Sequence, residues 1–169
     1  GVASGIHELY EPLAEDDGMS LLVKTMAAPV HGNRELISQA LANLVENAIK
    51  YGKPAAVPGV DASDSREIVI EARREGEHVI LSVTDHGPGI PEAERKHATE
   101  RFVRLEASRT LPGSGLGLSL ASAVAILHGG ELRLADAHPG LIAMLVLPAS
   151  VDAGARLAPQ TQDVPQKAA

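Results

Sequence analysis

Between Leu36 and Ile49, apolar residues recur every three to four positions. Leu36, Ile37, Ala40, Leu41, Leu44, Val45, Ala48 and Ile49 share one broad face, and the spacing predicts a helix over Leu36–Gly52 led in by Gly32-Asn33. Other stretches alternate or run apolar for the length of a strand: Met19–Lys24, Glu67–Arg73, His78–Asp85, Glu131–Ala135 and Leu141–Leu147, with Pro29–His31 as a further short one. Arg74-Glu75-Gly76-Glu77 and His138-Pro139-Gly140 read as the turns between successive strands. Residues 1–17 carry a short helical pattern through Ile6, Leu9 and Leu13 that ends between Pro12 and Gly18. A second helix is expected from the Gly113–Gly117 stretch to about His128, closed by Gly129-Gly130. Lys53–Ser65 reads as a loop, Glu92–Leu111 as a mobile segment with one short helix, and Ser150–Ala169 as a disordered tail.

The totals narrow this little. The 169 residues suit one domain, and 44% hydrophobic with 22% charged residues is ordinary for a soluble fold. A net charge of −7 argues against a general nucleic-acid or anionic-membrane binder. Cysteine is absent, which removes disulfides and thiolate chemistry and fits a cytoplasmic setting. No run of about 18 apolar residues occurs, so no membrane span is expected.

The chemistry starts on the helix predicted over Leu36–Gly52. At about 100° per residue, Asn43 and Asn47 stack almost one above the other, with Lys50 within roughly 60° of Asn47. Asn47 lies at the edge of the apolar arc, where a carboxamide needs partners. Two amides and an ammonium there suit a metal ion and phosphate oxygens; capping a neighbouring loop is the plainer alternative. Asp85 ends a buried strand, in position to accept a hydrogen bond from a ligand or to open a turn. Gly87 and Gly89 let the chain approach a ligand closely. Gly113, Gly115 and Gly117, interleaved with Ser114 and Leu116, offer backbone N–H groups at a helix start, which suits phosphate.

Four short patterns follow in order: N-L-V-E-N-A-I-K-Y at 43–51, D-H-G-P-G at 85–89, E-R-F-V-R at 100–104 and G-S-G-L-G-L at 113–118. Together they resemble the N box, first glycine box, F box and second glycine box of sensor histidine kinases, within the superfamily that includes gyrase and MutL. The resemblance covers about residues 5–148. It implies an α+β, two-layer sandwich of the Bergerat type, with a mixed, mostly antiparallel sheet of about five strands and three helices on one face. It implies ATP and Mg²⁺ as cofactors, with Asn47 as metal ligand, Asn43 beside it, Lys50 on phosphate, Tyr51 beside the nucleotide and Asp85 selecting adenine. Gly87, Gly89, Ile90, Phe102, Arg104, Gly113, Ser114, Gly115, Leu116, Gly117 and Leu118 complete the implied nucleotide contacts. The partner would be the dimerisation (histidine phosphotransfer) domain of the same kinase and, indirectly, a response regulator.

ATP-hydrolysing relatives place a general-base Glu where this chain has Asn43, which favours transfer to a nucleophile other than water. The chain departs from the pattern in two places. Phe102 is the lone aromatic of its box, and the final strand offers Ile142, Met144 and Val146 where a Thr often stands. His7-Glu8-Leu9-Tyr10-Glu11-Pro12-Leu13 mimics the family's phosphoacceptor box, yet Gly18 and a strand follow too soon for the helical hairpin that box requires. The expected division is therefore the end of a linker at 1–17, a catalytic domain at 18–149 with an ATP lid at about 92–114, and a tail at 150–169. An anti-sigma-type serine kinase and a degenerate docking domain for a response regulator are the alternative readings.

Overall fold

The computed structural model describes residues 1–54, 66–99 and 116–150. Helix α1 (Val2–Asp16) leads into strand β1 (Ser20–Thr25), then α2 (Arg34–Tyr51), β2 (Glu67–Glu75), β3 (His78–Thr84), α3 (Glu92–Ala98), α4 (Gly117–Leu127), β4 (Glu131–Asp136) and β5 (Leu141–Pro148). The strands form one five-stranded sheet in the order β1-β2-β3-β5-β4. Only β1 and β2 run parallel, Leu21 opposite Ile68; every other pair is antiparallel. The short strand expected at Pro29–His31 is a single bridge between Val30 and Ala149.

Alternation fixes which face is covered. Ile70 and Ala72 of β2 lie opposite Val83 and Leu81 of β3, and Val83, Leu81 and Val79 lie opposite Ala143, Leu145 and Leu147 of β5; with Ile68, all are buried. Against this face pack α1, α2 and α4. Of the α2 residues predicted as its inner face, all but the partly buried Leu36 are buried, with Leu41 and Val45 fully so. Asn33 caps that helix as expected, its Oδ1 accepting the N–H groups of Glu35 and Leu36 at 2.9 and 3.1 Å. Leu41→Ala leaves a hole at the centre of the helix layer, and chemical denaturation should show a loss of about 3 kcal/mol.

The first helix ends within the span read from the sequence, and its packing is what the sequence did not show. It runs past Pro12 to Asp16 and buries Ala3, Ile6 and Ala14 in the common core, so residues 2–16 pack as part of the domain. His7 donates from its ring to the Leu21 carbonyl at 3.0 Å, with Glu11 at 3.6 Å. Tyr10 donates to Glu46 Oε1 on α2 at 2.7 Å, and burial, then this bond, push the phenol up to about 12. Pro12 gives up one helical hydrogen bond, and packing on either side of it carries the helix through.

Candidate active site

Strand β3 delivers Asp85 to the end of the sheet beside the last turn of α2. Its backbone N–H donates to the Leu141 carbonyl at 3.0 Å, extending the β3–β5 ladder by one residue. Its Oδ1 accepts the Gly87 N–H at 2.9 Å and the Leu141 N–H at 3.3 Å. Both bonds fall on one oxygen, so among the described residues Oδ2 keeps its lone pairs for another donor. Only 7% of the residue is exposed. Burial raises the carboxyl above the usual aspartate range, and the Gly87 and Leu141 N–H groups offset this only in part.

The turn after Asp85 is packed backbone to backbone. A Cβ on Gly87 would lie 2.6 Å from the Tyr51 carbonyl oxygen, and one on Gly52 would lie 2.5 Å from Asp85 Cβ. One on Gly89 would lie 2.7 Å from the Gly140 carbonyl oxygen. The first glycine box is thus wedged between the end of α2 and the β4–β5 turn. His86 braces it from a third side, its ring bonded to the Glu67 carbonyl at 3.1 Å. Pro88, Gly89, Ile90, Arg95 and His138 line an open cavity of about 430 Å³ beside this loop. Arg95 of α3 closes its rim, donating to the Ile90 carbonyl at 3.0 Å with Asp136 at 3.6 Å.

On α2, Asn47 faces the first residue of α4: a Cβ on Gly117 would meet Asn47 Nδ2 at 3.1 Å and Oδ1 at 3.2 Å. One turn earlier, Asn43 Nδ2 is buried with no partner among the described residues. Lys50 is exposed, 4.0 Å from Glu46, whose other oxygen takes the Tyr10 hydroxyl. Leu116 is the N-cap position of α4, accepting from Leu120 N–H and Ser119 Oγ, while Leu118 packs against the core. The structure therefore brings Asn43, Asn47, Lys50, Tyr51, Asp85, Gly87, Gly89, Ile90, Leu116, Gly117 and Leu118 to one end of the sandwich. Phe102, Arg104, Gly113, Ser114 and Gly115 lie outside the described residues.

The sequence reading passed over Gly52, Gly140 and Tyr10 as site neighbours and took Glu46 only as an acid turned away from Asn47. The glycines stood in plain turns, and the Tyr10–Glu46 pair spans two elements with no shared motif.

The family model of histidine kinase-, DNA gyrase B- and HSP90-like ATPases matches residues 32–151. The chain belongs to this family. Among curated relatives, the signal transduction histidine-protein kinase/phosphatase MprB of Mycobacterium sp. (strain KMS) is 40% identical over 118 residues, 70% of this chain and 21% of the relative. The chain thus spans about a fifth of the length of the curated relatives it matches. A solved mycobacterial sensor histidine kinase MprB is 30% identical with a TM-score of 0.71, over 88% of this chain and 92% of that one. The ATP-binding domain of PrrB from Mycobacterium tuberculosis is 26% identical with a TM-score of 0.57, over 86% and 95% of the two chains. Within the family, this is the ATP-binding catalytic domain of a two-component sensor histidine kinase. Among the described residues no helix is long and apolar enough to cross a membrane.

Proposed function

We propose that this domain holds MgATP between α2, the Asp85 turn and the start of α4, and passes the γ-phosphoryl group to a histidine of a partner dimerisation domain. The observation that carries the reading is the half-used buried carboxylate of Asp85 at the same end of the sandwich as the orphaned Asn43 amide. Asp85 Oδ2 is the acceptor for the adenine amino group, and Oδ1 is spent on holding the carboxylate still. Gly87, Gly89 and Ile90 form the floor and wall beside the base, with Tyr51 at the mouth.

The donor set around Asn47 suits a magnesium triphosphate. Carboxamide oxygens are hard ligands for the ion, while amide N–H groups and the Lys50 ammonium offer charge and donors to phosphate oxygens. Bound Mg²⁺ would neutralise charge developing on the transferred group. The chain's own share is positioning. Asn47 would hold the ion, Asn43 Nδ2, unpartnered among the described residues, would gain an acceptor, and Lys50 would turn from Glu46 to phosphate. The runs Phe102–Arg104 and Gly113–Gly115 are assigned to the lid by their motifs.

Water is a poor acceptor here. The position of the hydrolytic Glu is Asn43, and Glu46, the one acid within reach on that helix, is committed to Tyr10 on the α1 side. The accepting nucleophile is thus supplied by another domain, and the response regulator is served at one remove. We place the module on the cytoplasmic side, where ATP is.

Calorimetric titration of ATP with and without Mg²⁺ tests the reading. Binding is expected, strengthened by the ion, and Asn47→Ala should abolish that strengthening while leaving weaker metal-free binding. ATP hydrolysis by the domain alone should stay near background. No saturable binding at millimolar nucleotide, or rapid hydrolysis, would refute it.

A further inference from the structure

We propose that His128 is a positioning residue for the nucleotide site, acting from the far end of the α2–α4 pair. The inference rests on the reading of Asn43 and Asn47 as the phosphate end of an ATP site. Helices α2 and α4 lie antiparallel. Gly117 at the start of α4 meets Asn47 near the end of α2, and His128 at the end of α4 meets Gly32 and Asn33 at the start of α2.

The ring makes a defined pair of bonds. Its Nδ1 lies 2.7 Å from the Val124 carbonyl, and its Nε2 lies 3.0 Å from the Asn33 N–H. A carbonyl only accepts and a backbone N–H only donates, so the ring is neutral with its proton on Nδ1. Asn33 caps two N–H groups of α2 with its side chain, and His128 takes the N–H of Asn33 itself. Gly32 makes room for the ring: a Cβ there would fall 2.9 Å from Nε2 and 3.2 Å from Ile37 Cδ1.

Between these ends, α4 buries Ala121, Val124 and Ala125, side chains with little relief to resist sliding along α2. Axial register is then set at the ends. At the Asn47 end the fit is close, because a Cβ on Gly117 would come within 3.1 Å of the carboxamide. Releasing His128 from Asn33 lets α4 shift, and the shift is felt where Asn47 and the first residues of α4 must converge on phosphate.

The test uses this chain with MgADP as probe, at a temperature where every variant is folded by circular dichroism. Imidazole ¹⁵N shifts of the unaltered protein should show Nδ1 protonated and Nε2 bare. His128→Ala should weaken MgADP binding roughly fivefold and move the Asn47 side-chain amide resonances. His128→Gln, which can offer an oxygen to the Asn33 N–H, should restore both. A proton found on Nε2 overturns the proposal, and so does unchanged affinity in His128→Ala. Equal losses in the Ala and Gln variants overturn it too, because they report only a damaged helix end. Where His128→Ala does not fold, the ring tautomer and the Gln variant decide. Failure of the unaltered protein to bind MgADP refutes the ATP site itself, a separate result.

Discussion

Asp85→Asn should abolish nucleotide binding and, at neutral pH, make the empty domain more stable. The two effects have one cause. Burial raises the carboxyl of Asp85, so the ionised form is held in the fold at a cost. For an acid whose folded-state value is raised, the unfolded chain loses its proton first. Its contribution to stability therefore falls as pH climbs through the window above the ordinary value of 3.8. Asparagine carries no charge, and its Oδ1 keeps the bonds from Gly87 and Leu141. A gain of about 1 kcal/mol is expected at pH 7, a rise of roughly 3 °C in unfolding temperature, shrinking toward nothing near pH 3. At the site the change runs the other way. The Oδ2 acceptor becomes an amide donor facing another donor, the exocyclic amine of adenine, and affinity should fall by a factor of a hundred or more. Thermal unfolding across pH and calorimetry on the same samples read both. A variant that is no more stable at pH 7, or that still binds ATP, contradicts the role given to this carboxylate.

Much of this was open to inspection in the chain itself, where the signal is local. The apolar face of α2 is written at helical spacing, and the burial of Ile37, Leu41, Leu44 and Val45 repeats it. The strands β2 to β5 announce themselves by alternation or by a continuous apolar run, to within a residue or two at their ends. That Asp85 and Asn47 belong to one site was implied by the resemblance the four motifs carry together, not by any spacing. Contacts between distant segments were hidden. Pro12, with Gly18 and a strand following so soon, made α1 look like a connecting piece, yet Ile6 and Ala14 find the core and hold the helix there. Within the stretch that mimics a phosphoacceptor box, His7 bonds to the Leu21 carbonyl, a contact no local pattern shows. The His128–Asn33 bond joins residues 95 apart, and the Tyr10–Glu46 bond residues 36 apart. Neither pair has a spacing that a period of 3.6 or 2 can reveal.

Gly140 is the clearest of these hidden positions, and Gly140→Ala should cost more than any other single methyl group added to the site. The residue sits at φ 112°, where an L side chain is strained before any contact is counted. A Cβ there would overlap the Asp85 carbonyl oxygen and lie 2.6 Å from its carbon and 2.8 Å from His86 Cα. Every one of these atoms is backbone, so no side chain can swing away. On the other side the turn is held by Gly89, whose own Cα hydrogens face the Gly140 carbonyl. The β4–β5 turn has to retreat from the Asp85 loop, taking with it the Leu141 N–H that steadies Oδ1. A loss of about 3 kcal/mol is expected, a drop of roughly 6–12 °C in unfolding temperature. Nucleotide affinity in the protein that remains folded should fall more than tenfold. Gly76 provides the control. It too has a positive φ, of 58°, but nothing lies within 4 Å of a Cβ placed there, and it stands in the β2–β3 turn. Gly76→Asn should change stability by less than about 1 kcal/mol and leave binding alone, because asparagine tolerates that backbone. If the two variants unfold at the same temperature and bind ATP alike, the wedge between the Asp85 loop and the β4–β5 turn is not what holds the site.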